Sequence, residues 1–183
     1  MARILDVGCG RNKYAGAIGI DRNPATRADV LCDLNRPPYP FADGSFDEIR
    51  AVHVVEHVED VIALVEELHR LLRLGGRLLV VTPHYTDFAS FCDPTHRWHL
   101  NSFSFRYFTE PYTYDYYSPV RFREVSVRIV MPRLWRWLGL QWVLNHSRLL
   151  RRFWEHYLCF LFRGKELQFW FEALKPELPS KAT

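Results

Sequence analysis

The sequence predicts an α/β protein built on a doubly wound, mostly parallel sheet, and three observations carry that reading. The run Arg3-Ile4-Leu5-Asp6-Val7 is short, apolar and rich in β-formers, and it leads directly into Gly8-Cys9-Gly10. A strand followed by a glycine turn is how such a sheet opens a nucleotide site at the carboxyl end of its first strand. A second short apolar run, Ala17-Ile18-Gly19-Ile20, closes on an acid, Asp21. Further on, Ser45–Val52, a helical stretch from about Glu59 to Leu74, and Leu78–Val81 follow as strand, helix and strand. That order folds as a right-handed parallel crossover.

Each element has a local reason. Ten residues separate Gly10 from Asp21, too few for the usual crossover helix plus a strand. The first helix is therefore expected to shrink to a turn around Arg11–Gly16. A third strand is expected at Ala28–Cys32, ending at Asp33. Pro37, Pro38 and Pro40 then forbid regular structure. The helix carries Val61, Leu64, Val65, Leu68, Leu71 and Leu72 at helical spacing. Glu59 and Asp60 in its first turn and Arg70 and Arg73 in its last suit the helix dipole. Gly75-Gly76 is expected to end it. Pro83–Pro119 reads as a long loop rich in His, Asp, Tyr and Phe, and long loops in compact domains are usually functional. A strand at Phe122–Val130, helical segments at about Pro132–Leu144 and Ser147–Phe162, and a last strand at Glu166–Leu174 complete the chain. The expected organisation is one domain over 1–175: a cofactor half at 1–82, a substrate or lid loop at 83–119 and a C-terminal strand-helix-strand unit at 120–175. Residues 176–183 are expected to be a frayed tail.

Three details of the glycine turn select its ligand. The third glycine of the dinucleotide fingerprint is replaced by Lys13. Asp6, just before the glycines, would repel a pyrophosphate and attract an ammonium group. Asp21, at a second strand end, is placed to accept hydrogen bonds from a ribose diol. A ligand with a ribose, an ammonium and no phosphate is S-adenosylmethionine. The competing reading is that Gly8 and Gly10 only turn the chain.

Composition narrows the classes further. The 183 residues suffice for one domain with a full core, and their 48% hydrophobic and 25% charged content is ordinary for a globular chain. No apolar run is long enough to span a bilayer, and no secretory leader is expected. The four cysteines are scattered, without a Cys-x-x-Cys pair, which argues against a zinc ribbon or disulfide framework and for a reducing, cytoplasmic setting. A net charge of +3 is too mild to imply nucleic acid.

Taken together, several stretches resemble class I S-adenosylmethionine-dependent methyltransferases of the small type 11 kind. They are Ile4–Gly10, Ala17–Asp21, Asp33-Leu34, the run from Pro38 to Asp47, Glu56-His57-Val58 and Leu71–Val81. The resemblance covers roughly the first half of the chain. It implies a Rossmann-like, seven-stranded sheet whose last strand is reversed, a role that suits Glu166–Leu174. By the same resemblance, Asp6 and the backbone of Gly8, Cys9 and Gly10 would hold the methionyl end and Asp21 the ribose. Asp33 and the Leu34 backbone would meet the adenine edge, and His53 would border the sulfonium. The chain departs from the pattern in lacking helices before its first strand and in its reduced first helix. The later loop or a partner subunit would then have to cover the cofactor.

The long loop holds His84 and the segment Asp93-Pro94-Thr95-His96-Arg97-Trp98-His99. Methyl transfer is an in-line displacement, so an enzyme must align its nucleophile and, for a hydroxyl, remove a proton. Histidine suits that work at neutral pH. His84, His96 and His99 are the candidate catalytic residues. Three readings stay open: a general base, a divalent metal site built from His84, Asp93, His96 and His99, or hydrogen bonds that order the loop. No metal is assigned. Glu56 could face substrate or could simply cap the next helix. The Asn/Asp-Pro-Pro-Tyr motif of many N-methyltransferases is replaced by His53-Val54-Val55-Glu56-His57, which favours oxygen acceptors.

Arg121–Arg152 carries eight arginines against one acid, Glu124, interleaved with Trp135, Trp137, Leu138, Leu140, Trp142, Val143 and Leu144. It reads as a helix packed on the sheet with a basic outer face, or as an amphipathic surface for a membrane or an anionic, lipid-linked substrate. The expected function is methyl transfer from S-adenosylmethionine to a small-molecule, glycan or lipid-linked acceptor. The alternative is a non-catalytic cofactor-binding or scaffold subunit whose partner completes the site. Residues 132–144 are expected to pack over the site, against a second copy of the chain, or on a membrane.

Overall fold

The structure is a computed structural model that describes residues 2–110 and 116–175. Seven strands form one sheet: β1 (Ile4–Val7), β2 (Ile18–Asp21), β3 (Val30–Leu31), β4 (Phe46–Val52), β5 (Leu72–Pro83), β6 (Arg121–Val130) and β7 (Glu166–Leu174). Their order across the sheet is β3-β2-β1-β4-β5-β7-β6. The first five run parallel, and β7 lies antiparallel to both β5 and β6. This is the doubly wound, Rossmann-like sheet with a reversed last strand. The helices are α1 (Val61–Leu71), α2 (Phe88–Cys92), α3 (Arg133–Trp137), α4 (Leu140–His146) and α5 (Arg148–Tyr157), with a 3-10 turn at Ser104–Phe108.

Buried strands explain the apolar runs. Leu5, Val7, Ile20, Ile49, Ala51, Leu78 and Val80 are buried, and α1 lays Leu64, Val65, Leu68 and Leu71 on the same core. As expected, no helix lies between β1 and β2. A turn replaces it: the Tyr14 N–H donates to Asp6 Oδ2 at 2.7 Å, and the Arg50 guanidinium stacks 4.1 Å from the Tyr14 ring centroid.

Several boundaries differ from the sequence reading. The helix α1 stops at Leu71, not Leu74, and Leu72 already pairs with Phe46 in β5. The ladder then passes from Phe46–Leu72 to Glu48–Arg77. Gly75-Gly76 therefore sits in a bulge of a strand and does not cap a helix. Arg73 leaves the helix to pair with Asp47. Asp60 is the N-cap and accepts from the Ile62 and Ala63 N–H groups at 2.8 and 3.0 Å, so Glu56 is free of that duty. The predicted Pro132–Leu144 helix breaks at Gly139, whose φ is +80°. The expected tail at 176–183 and residues 111–115 of the long loop lie outside the described residues.

The sheet register places everything that matters at one end. Residue Glu166, which opens β7, pairs with Pro83 at the end of β5 and with Val130 at the end of β6. Helices α3 to α5, which join β6 to β7, therefore stand at the carboxyl end of β1, β4 and β5. Here α4 is tied to β6 by the Ile129 N–H to Asn145 Oδ1 at 2.7 Å and the Met131 N–H to Gln141 Oε1 at 3.0 Å. Residues 132–144 thus pack against the far edge of the sheet and not over β1 and β2. That corrects the expectation of a lid from this segment. Trp135 is likewise not exposed in the way its neighbours are; it packs edge-on to Phe162. Trp137 is the outermost indole, 82% exposed.

Candidate active site

A cavity of about 750 Å³ opens at the carboxyl ends of β1, β2, β3 and β4, a volume within the usual range for cofactor sites. Each β-strand delivers one part of its wall. Gly8 follows β1 with φ +62°, and a Cβ there would come within 2.5 Å of Val54 Cγ2. Only glycine lets the chain pass so close. Asp21 ends β2 and lies on the wall, where Oδ2 accepts from the Gly10 N–H at 3.0 Å and Oδ1 from the Asn23 N–H at 2.9 Å. A carboxylate has about four lone-pair sites, so Asp21 keeps capacity for a diol. After β3, Asp33, Leu34 and Asn35 line the far side. After β4, His53, Val54, His57 and Val58 complete the floor, and Pro94, Thr95 and Arg97 of the long loop reach in from above.

The other candidates sit elsewhere. Asp6 is buried, is not among the lining residues and holds the Tyr14 turn. Burial pushes its carboxyl up, against the opposing pull of the Tyr14 N–H, Arg50 and Lys13. The Cys9 N–H donates to the Ile20 carbonyl at 3.1 Å, and the Gly10 N–H is taken by Asp21. These residues shape the cradle from behind. On the wall, acids at two strand ends and a glycine that carries no side chain fit an adenosyl group bearing a cationic sulfur. When bound, S-adenosylmethionine supplies an electrophilic methyl group.

His53 has φ +54° and stands between two carboxylates, with Nδ1 3.3 Å from Glu56 Oε1 and Nε2 3.5 Å from Glu166 Oε2. Glu166 first, then Glu56, push its pKa up to about 9. His53 is thus an imidazolium at neutral pH and cannot serve there as a base. Glu166, at the start of β7, was not visible as a site residue in the sequence, because only the reversed strand brings it beside β4.

The loop histidines separate. His84 is fully buried and packs against Tyr85 and Trp154. A Cβ on Gly164 would approach its ring to 2.8 Å. Its Nδ1 accepts the Thr86 N–H at 3.2 Å, and Nε2 faces Glu155 at 3.3 Å. Burial raises the Glu155 carboxyl, but the hydrogen bonds from His84 and Ser102 outweigh it and leave it below the ordinary value. His84 therefore ties β5 to α5, and no substrate can reach it here. His99 stacks on Phe91 with ring centroids 4.0 Å apart and meets Ser90 Oγ at 2.9 Å. It is not among the residues that line the cavity. The metal set of His84, Asp93, His96 and His99 is not assembled. His96 instead lies edge-on to His57, ring centroids 4.6 Å apart, and His57 is on the wall.

Residues 5–80 match the family model described as a methyltransferase domain. The chain is 36% identical over 94 residues to a tRNA (carboxymethyluridine(34)-5-O)-methyltransferase of Xenopus tropicalis, covering 42% of this chain and 15% of that protein. It is 29% identical over 122 residues to the chloroplastic tocopherol O-methyltransferase of Arabidopsis thaliana, covering 54% of this chain and 35% of that protein. The chain thus spans less than half the length of these relatives. Among solved structures, it superimposes on a SAM-dependent methyltransferase from Archaeoglobus fulgidus with a TM-score of 0.64 at 18% identity, covering 93% of this chain and 86% of that one. With the reversed seven-stranded sheet, these matches show that the chain has the fold of class I S-adenosylmethionine-dependent methyltransferases and that its first half is similar to a methyltransferase domain.

Proposed function

We propose that the protein transfers the methyl group of S-adenosylmethionine to an oxygen of a small acceptor that is itself a lipid or is lipid-linked. The observation that carries this reading is the placement of an apolar, arginine-rich face at the same end of the sheet as the cofactor cavity. Trp137, Trp142, Phe153, Tyr157, Phe160 and Leu161 are exposed there, Phe160 by 78%. Large apolar side chains exposed in such number on one connected stretch of chain support an interaction surface. Arginines 133, 136, 148, 152 and 163 are interleaved with them, and cationic and aromatic residues together suit an anionic membrane surface. No helix among the described residues is long and apolar enough to cross a membrane, so the face would rest on the bilayer. Two relatives named for oxygen methylation support the acceptor atom, as does the absence of the Asn/Asp-Pro-Pro-Tyr motif.

A methyl-labelled cofactor assay tests the proposal. The protein is incubated with a neutral lipid extract, the same extract in anionic vesicles, and bulk tRNA. Label in the lipid fraction, greater with anionic vesicles, is expected. Label only in tRNA would refute the lipid reading. A second reading, a subunit needing a partner, is favoured by one feature: a turn replaces the helix between β1 and β2. Under it, the isolated chain would bind cofactor and transfer nothing until a partner was added.

A further inference from the structure

Glu56, His57 and His96 meet beside the cofactor cavity, with one ligand atom from each within 4.8 Å of the others. They are the one such metal-capable group among the described residues. Two segments far apart in sequence bring them together, and backbone bonds lock the join. The Arg97 and Trp98 N–H groups both donate to the Glu56 carbonyl, at 2.7 and 3.3 Å, and Trp98 Nε1 donates to the Val58 carbonyl at 2.8 Å.

The hydrogen bonds around the group decide which atoms remain unspent. The Thr95 hydroxyl donates its proton to Asp93 Oδ1 at 2.7 Å. It must therefore accept from His57 Nδ1, 2.9 Å away. That places the His57 proton on Nδ1 and leaves the Nε2 lone pair free. His96 is set the same way, because Nδ1 faces the Ser90 carbonyl at 3.1 Å and can only donate to it. Asp93 Oδ2 stands 3.9 Å from the His96 Nε2, outside hydrogen-bond reach, so that lone pair can still ligate. Glu56 is 1% exposed; Oε1 faces His53, and Oε2 has no hydrogen-bond partner. Buried polar atoms are rarely left unsatisfied. Two imidazoles oriented through Nδ1 by outer partners, plus a carboxylate, is the arrangement that metal-ligating histidines show.

We propose that Glu56, His57 and His96 bind one divalent transition-metal cation. Two nitrogens and one carboxylate suit zinc, iron(II), manganese or cobalt, with coordination positions left open. Magnesium and calcium prefer oxygen ligands. His57 lies on the cavity wall, so an open position facing the cavity would take the acceptor's oxygen. That role rests on the methyl-transfer reading above, whereas the binding does not.

Cobalt(II) alone is the probe. The full chain is stripped with chelator and titrated, and visible ligand-field absorption is followed. One equivalent per chain is expected for the wild type. His96→Ala and Glu56→Gln should lose at least about 100-fold in affinity, and Thr95→Val, which removes an outer partner, about 10- to 100-fold. His99→Ala, outside the group, should titrate like the wild type. Circular dichroism checks folding. His96 lies on the loop, so its variant carries the test if Glu56→Gln fails to fold. No stoichiometric cobalt spectrum, or His96→Ala binding as tightly as the wild type, would overturn the site. One equivalent of metal with no methyl transfer would sink the functional reading and leave the site standing.

Discussion

Asp21→Ala separates a cofactor-holding acid from one that merely shapes a turn. Its carboxylate accepts one N–H from each side, from Gly10 and from Asn23, and two of its lone-pair sites remain toward the cavity. A ribose diol filling them would make two charge-assisted hydrogen bonds. Their loss should cost about 2–4 kcal/mol, or roughly 30- to 700-fold in Kd. The fold should lose less. Asn23 is exposed, so water can replace that bond, and only the Gly10 N–H is left poorly served, at about 1 kcal/mol. For a chain of this size that lowers Tm by about 2–4 °C. Calorimetric titration with S-adenosylmethionine, well below the melting temperature, reads the effect. Asp21→Asn, which keeps the shape but not the charge, should fall between the two. A Kd within threefold of the wild type in a folded Asp21→Ala protein would refute the ribose assignment.

Glu155→Ala should destabilise without touching the cofactor. It strands buried His84 and the Ser102 N–H, which donates to Glu155 at 2.8 Å, and breaking a buried pair costs about 3–5 kcal/mol. Denaturant melts should show that loss with unchanged cofactor affinity; a neutral melt would refute the strut. His69 gives a pH dependence. Burial first, and then Lys175, lower its pKa below 6.5, despite its hydrogen bond to the Leu174 carbonyl. Its contribution is therefore full above the unfolded pKa and lost as pH falls through the lower folded value. His69→Gln, which can still donate to Leu174, should lose less stability than the wild type between about pH 7 and 5. Parallel urea midpoints across that range would contradict this.

The sheet and the strand-end residues on the cavity wall were legible because their information is local. A β-rich run ending in an acid or glycine identifies its own strand end, which is how Asp21, Asp33 and Gly8 were found. The last strand was placed at Glu166–Leu174, the span it occupies. The misplacements were also local. Gly75-Gly76 looks like a helix stop, yet pairing of Leu72 with Phe46 draws the strand past it, because a buried ladder outweighs a capping preference.

The amino-acid order by itself determined the strands, the missing first helix and the acids at the strand ends, since each depends on spacing within a few residues. Only the tertiary structure decided which histidines meet the cavity. His84 and His96 look equivalent in a loop rich in polar residues. One is sealed against Glu155, 71 residues away in sequence, and the other stands with His57, which Thr95 reaches across 38 residues. Such pairings follow from the path of a long loop over a finished sheet, and no periodicity in the loop encodes that path.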